Sequence, residues 1–148
     1  MWKSRIKRNK GSILFGLLIV IILFACQITP KKINNYTDVI SGILSMASIA
    51  TSFLFASFSL IPALPDSKLM KSLKELGTDK KLLDRLLITM FGFFVTSILA
   101  LLALVLFQAT DNSMLGKTII SFLGGFLCFS LAEQFKILRI LLKALEKM

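Results

Sequence analysis

The residues best placed to do chemistry form a stripe of small, mostly hydroxyl-bearing side chains in an apolar stretch at residues 40–63. They recur every three or four positions, so on an α-helix they lie within about 80° of one another. The members are Ser41, Ser45, Ser48, Ser52, Ala56 and Ser59. In a nonpolar environment such a stripe lets two helices approach closely. Its hydroxyls can hydrogen-bond to a neighbouring helix or line a path for water and solutes.

Two later apolar stretches carry shorter stripes of the same kind. Residues 86–109 contain Thr89, Gly92 and Thr96, and residues 115–134 contain Ser121 and Gly125. Helix packing explains the three stripes most simply, and it predicts a core formed by these three stretches with residues 11–29 at the periphery. Two alternatives stay open, namely a pore lined by hydroxyls and a seam between copies of the chain.

The sequence offers no set of residues typical of catalysis or metal binding. It has no histidine, which excludes Ser/His/Asp and Cys/His catalysis. Its two cysteines, Cys26 and Cys128, lie in separate apolar stretches and form no zinc motif. No glycine-rich phosphate loop, nucleophile elbow or paired acidic site is present. We therefore expect a protein that is not an enzyme and that uses no cofactor or metal.

The apolar composition indicates which elements position these stripes. Hydrophobic residues make up 55% of the 148 residues, and the mean hydropathy is +0.80. The excess falls at residues 11–29, 40–63, 86–109 and 115–134, each compatible with a helix that crosses about 30 Å of hydrocarbon. The last stretch is the weakest, because only residues 118–132 are free of charge. We predict an all-α polytopic membrane protein, a single membrane domain over residues 1–148 with four transmembrane helices.

The distribution of lysine and arginine predicts how these helices are oriented. Residues 1–10, 64–85 and 133–148 hold five, six and four of the 18 basic residues, which leaves three for the opposite face. Because basic segments stay on the cytoplasmic side, both termini are predicted to be cytoplasmic, in the inner (cytoplasmic) membrane. The basic start also fits a signal peptide or a lipobox around Phe24-Ala25-Cys26, but the apolar stretch is longer than in typical signals.

The cytoplasmic segments are predicted to be partly helical and to present a basic surface. In the loop at residues 64–85, Ser67 and Gly77 fit the start and end of a short amphipathic helix, and residues 135–148 form an amphipathic tail. Glu133 is expected to mark the cytoplasmic end of the fourth span rather than a gate; the tail either continues straight or bends there. The residues expected to contact a cytoplasmic protein or lipid headgroups are Lys68, Lys71, Lys74, Lys80, Lys81, Arg85, Lys136, Arg139 and Lys143. Direct binding of nucleic acid is not expected.

The pattern excludes several classes of small membrane protein. No charged residue lies in the middle of a span, which disfavours ion-coupled transport. Small multidrug exporters carry a buried glutamate in the first span, and four-span quinone-reducing enzymes carry a Cys-x-x-Cys pair. This sequence has neither. A small transporter or membrane enzyme is therefore the least favoured class.

In its length, its number of spans and its loop from Leu64-Pro65-Asp66-Ser67-Lys68 to Asp84-Arg85, the chain resembles the small four-span membrane proteins of bacterial anti-phage defence operons, such as the membrane subunit of the Kiwa system. The resemblance implies a role in sensing or disrupting membrane integrity during infection, with a soluble partner encoded nearby. The leading hypothesis is a non-enzymatic membrane subunit that forms homo-oligomers and engages a cytoplasmic partner. The alternative is a channel or holin-like pore former lined by the serine stripe.

Overall fold

The computed structural model describes residues 10–63 and 79–146, and every regular element within them is helical. Helix α1 covers Lys10–Ala25, and a 3-10 turn covers Pro30–Lys32. Helices α2, α3 and α4 cover Tyr36–Ala63, Asp79–Leu106 and Met114–Leu145. The amphipathic helix predicted at residues 67–77 lies outside the described residues.

Three of these four helices are long and apolar enough to cross a membrane, at Tyr36–Leu60, Lys81–Leu106 and Met114–Lys143. At 1.5 Å per residue these segments measure between about 37 and 45 Å, which exceeds a typical hydrocarbon core. Helix α1 is equally apolar, but its 16 residues span only about 24 Å. The architecture is therefore that of an all-helical protein suited to a membrane.

The interior comes from α2, α3 and α4. One cluster of buried side chains contains Ala47, Leu54, Leu82, Leu86, Phe93 and Ile137. A second cluster, nearer the connections that join α1 to α2 and α3 to α4, contains Tyr36, Ile40, Ala100, Ala103, Phe107, Ile120 and Leu123. Helix α1 packs on the outside against α4, and within α1 only Ser12 and Gly16 are buried.

The contact between α1 and α4 depends on glycine. A Cβ atom added at Gly16 would lie 3.0 Å from the Cβ of Phe129 and 3.1 Å from the carbonyl oxygen of Gly125. A Cβ atom added at Gly125 would overlap the side chain of Val20. Backbones this close gain dispersion contacts along their length, which is how helices associate in lipid, where no hydrophobic effect draws them together.

Hydrogen bonds between uncharged groups hold the end of the bundle at which α1 stops. Helix α1 ends in a Schellman-type cap in which the N–H of Ile28 donates to the carbonyl of Leu23, with Gln27 at a positive φ of 51°. The hydroxyl of Tyr36, which begins α2, donates to the carbonyl of Ala103 on α3 at 2.7 Å and is buried. These hydrogen bonds fix the end of α1 and the start of α2 through uncharged groups.

The outer surface of the helices is strongly apolar. Exposed large side chains occur on all four helices, for example Leu14 (69% exposed), Phe53 (69%), Val105 (74%) and Leu115 (71%). A soluble monomer rarely exposes so much contiguous apolar surface. Lipid rather than water is the solvent that matches it.

Candidate functional site

The serine stripe of α2 lies on the outside of the bundle. Ser45, Ser48, Ser52, Ala56 and Ser59 are exposed, and Ser41 is half-buried. Helix α2 packs on α3 through a different face, whose buried members are Tyr36, Ile40, Ala47 and Leu54. The centres of the two faces are about 140° apart on the helix. Within the described part of the chain, the stripe therefore lies mostly outside the α2–α3 interface, and Ser48 is the member that contacts α3.

Two of the stripe's five hydroxyls bond to their own helix. Ser52 Oγ donates to the carbonyl of Ser48 at 3.0 Å, and Ser59 Oγ donates to the carbonyl of Phe55 at 3.0 Å. Ser48 instead reaches Ser97 on α3, with 3.4 Å between the two Oγ atoms. Ser52 and Ser59 can therefore face lipid, a second protein surface or water without leaving a donor unpaired.

The small residues on α3 and α4 behave differently, because they lie between helices. Thr89, Gly92 and Thr96 on α3 are buried, as are Ser121 and Gly125 on α4. A Cβ atom added at Gly92 would overlap the hydroxyl of Ser130 on α4. Five of the residues singled out from the sequence thus contribute to helix packing, whereas the α2 serines form a separate exposed surface.

A buried carboxylate joins three helices at the opposite end of the bundle from Tyr36. Glu133 on α4 is 0% exposed, and its Oε2 lies 2.7 Å from a guanidinium nitrogen of Arg85 on α3. Its Oε1 lies 2.8 Å from Lys136 Nζ, one helical turn further along α4. Lys136 also donates to the hydroxyl of Ser12 on α1. We refer to these four side chains as the Glu133 cluster.

The Glu133 cluster explains how α4 continues past its apolar part. Helix α4 runs unbroken from Met114 to Leu145, so the tail continues the fourth helix without a break at Glu133. The carboxylate has two cationic partners, so its burial is compensated by charge-assisted hydrogen bonds. Arg85 and Lys136, which the sequence suggested as surface residues for a partner or lipid headgroups, are drawn into this cluster.

The remaining basic residues divide into exposed and undescribed groups. Lys81, Arg139 and Lys143 are exposed. Lys68, Lys71, Lys74 and the side chain of Lys80 lie outside the described residues. Where the structure describes the chain, no group of histidine, cysteine, aspartate or glutamate side chains is arranged to hold a metal ion.

The sequence carries a signal for the Glu133 cluster that hydropathy does not use. Arg85 lies 21 residues before the end of α3 at Leu106, and Glu133 lies 19 residues after the start of α4 at Met114. The two residues therefore lie about 32 Å along α3 and about 28 Å along α4 from the end of the bundle at which α3 stops and α4 starts. Two antiparallel helices joined by a short connection therefore place these opposite charges at the same level.

Removing the carboxylate should destabilise the bundle. We expect Glu133→Gln to lower the free energy of unfolding by about 3 kcal/mol, because it leaves Arg85 and Lys136 without their anionic partner. The measurement is reversible unfolding in mixed detergent micelles, with Glu146→Gln as a matched exposed control that should change little. In a double-mutant cycle with Arg85→Gln, the two losses should fall short of additivity by 1 kcal/mol or so; additive losses would contradict a direct pairing.

Comparison with known proteins adds no relative to this picture. No family model matches the chain, and no curated protein or solved structure matches it either. The functional argument therefore rests on two features of the molecule itself, the exposed small-residue face of α2 and the Glu133 cluster that ties α1, α3 and α4 together.

Proposed function

We propose that the chain is a non-enzymatic, multi-pass membrane subunit that self-associates through the exposed small-residue face of α2 and engages a cytoplasmic protein. The observation that carries this proposal is the position of Ser45, Ser48, Ser52 and Ser59, all exposed on a helix whose opposite face is buried. Lipid gains little from small hydroxyl-bearing side chains, whereas a second helix can approach them closely and share hydrogen bonds.

In the proposed arrangement all four helices cross the inner membrane, with both termini in the cytoplasm. Two observations support a crossing by α1 despite its 16 residues: it is apolar from Ile13 to Ala25, and it packs lengthwise on α4 through Gly16 and Gly125. A short hydrophobic helix is accommodated by local thinning of the bilayer at modest cost. The excess of lysine and arginine in residues 1–10, 64–85 and 133–148 supports the orientation.

The Glu133 cluster fits the cytoplasmic boundary of this arrangement. Arg85, Glu133 and Lys136 lie close to 30 Å from the other end of α3 and α4, which is the thickness of the hydrocarbon core. The charges would then sit where water and headgroups begin, and the last turns of α4 would extend into the cytoplasm. Exposed Arg139 and Lys143 on those turns are available to a partner.

Disulfide cross-linking tests self-association through α2. In a background of Cys26→Ser and Cys128→Ser, we expect oxidation of Ser52→Cys to yield covalent dimers in native membranes, because the two exposed faces meet. Leu18→Cys is the matched control, since Leu18 is also exposed but lies on α1. Non-reducing electrophoresis measures the outcome. Equal yields from the two variants would reject α2 as the contact face.

Engagement of a soluble partner is the second part of the proposal, and the basic cytoplasmic segments support it. The resemblance to membrane proteins of anti-phage operons points to a partner encoded nearby and to a role when infection perturbs the membrane. We expect a companion protein to co-purify from native membranes and to be lost when Lys68, Lys71 and Lys74 are replaced by glutamate. Retention of the companion by that variant would argue against these lysines as the contact.

A pore is the second candidate function, and the Ser48–Ser97 contact favours it. This contact places hydroxyls from α2 and α3 on one exposed surface, so an oligomer with that surface turned inward would have a polar lining. We expect such a pore to conduct ions in reconstituted liposomes, and Ser48→Leu with Ser52→Leu to abolish the conductance by making the lining apolar. Conductance that survives both substitutions would exclude this lining.

A further inference from the structure

A polar pocket opens at the end of the bundle far from Glu133, between the turn that follows α1 and the start of α4. Its volume is about 360 Å³. Two lysines, Lys32 and Lys117, line it together with the uncharged polar residues Gln27, Thr29, Asn112 and Ser113. No acidic residue lines the pocket; Asp111 adjoins it along the chain but does not contribute to its wall. The lining is therefore cationic.

Neither lysine of this pocket is paired with a carboxylate among the residues that the structure describes. Lys117 Nζ lies 4.1 Å from the centre of the Phe24 ring, and Lys32 Nζ lies 3.4 Å from the carbonyl oxygen of Cys26. The ring face uses none of the three N–H donors of Lys117. The carbonyl of Cys26 accepts one of the three donors of Lys32. Both cations therefore keep donors for a ligand.

The start of α4 adds a second source of positive potential. Ser113 caps the helix, because its Oγ accepts a hydrogen bond from the N–H of Gly116 at 3.1 Å. The first turn of α4 contains no acidic residue to offset the helix dipole. The N-terminus of a helix carries about half a positive charge and presents free N–H groups, which together favour an anion.

Thr29 provides an independent observation, a buried hydroxyl without a protein partner. The residue is 6% exposed and lines the pocket, and its Oγ1 is buried without a hydrogen-bond partner. It is the one buried side-chain oxygen or nitrogen found in this condition within residues 10–63 and 79–146. Buried hydroxyls are almost always paired, and an oxygen atom of a ligand held by the neighbouring lysines would supply the partner.

We propose that the pocket between Lys32 and Lys117 binds a phosphate group. An anion with several acceptor oxygens matches two lysine ammonium groups, a helix N-terminus and several short polar side chains. Met114 lines the pocket and Leu115 follows it; these side chains are 74% and 71% exposed, so apolar surface begins at the pocket. In the proposed membrane arrangement the pocket would lie at the level of the lipid headgroups, and the phosphate source is either an anionic glycerophospholipid or free phosphate. The inference does not depend on self-association or on a partner.

Thermal unfolding of the full-length chain in a neutral detergent tests the proposal. The protein is titrated separately with phosphatidylglycerol, with phosphatidylcholine of the same acyl chains, and with inorganic phosphate. Chloride at equal ionic strength is the comparison for inorganic phosphate. We expect phosphatidylglycerol or inorganic phosphate to raise the unfolding temperature. Lys32→Gln combined with Lys117→Gln should lower the affinity for the ligand that stabilises the protein about tenfold or more, because charge-assisted hydrogen bonds are lost. Lys31→Gln with Lys143→Gln is the control, since it removes two charges at exposed positions outside the pocket.

The outcomes separate cleanly. Stabilisation by phosphatidylglycerol alone identifies a lipid headgroup, and stabilisation by inorganic phosphate identifies the free ion; either supports the site if only the pocket variant weakens it. Equal weakening in the control variant indicates a general effect of charge and overturns the proposal, as does the absence of stabilisation by both ligands. If the pocket variant does not fold, Thr29→Val replaces it, since it removes the hydroxyl and keeps the side-chain shape. Unchanged binding in that variant would also overturn the proposal.

Discussion

The pairing of Glu133 with Arg85 and Lys136 is the interaction that organises the bundle. A carboxylate with no solvent exposure is tolerated only when opposite charges and hydrogen bonds surround it. Those partners come from α3 and from the next turn of α4, and Lys136 extends the connection to Ser12 on α1. Because the partners must stay in contact, the cluster fixes the register of α3 against α4 and the lengthwise position of α1.

The rest of the bundle is held by contacts that suit a nonpolar environment. Glycine and small hydroxyl-bearing residues bring α1, α3 and α4 close together in the middle. At the far end, neutral hydrogen bonds such as Tyr36 to Ala103 replace ion pairs. This division follows from the unfavourable free energy of charge in lipid. Ion pairs suit the end of the bundle, whereas the middle of the bundle relies on close packing. Helix α2 buries one face and exposes the other, so it lies at the edge of the bundle.

Hydropathy predicts the approximate positions of the four described helices, three of which are long and apolar enough to cross a membrane, because lipid demands long apolar stretches. It predicts their ends less well. Helix α3 begins at Asp79 and α4 continues to Leu145, since charged residues remain helical after the apolar stretch has ended. Periodicity identifies the serine face of α2 but does not indicate what covers it. The same helix carries a second periodic face, from Tyr36 through Ala47 to Leu54, and its larger side chains bury more surface. The partners of Glu133 follow only once the neighbouring helices are known.

The uninterrupted course of α4 has a mechanical consequence. Twelve residues follow Glu133 before the helix ends at Leu145, so about 18 Å of helix lies beyond Glu133, and its buried Ile137 belongs to the same core cluster as Leu82 on α3. A continuous helix transmits a change of tilt along its length, and the displacement grows with distance from the point about which the helix tilts. Lateral stress in a bilayer, or its thinning, that tilts the apolar part of α4 would thus displace Arg139 and Lys143 sideways, by an amount that grows with their distance from Glu133.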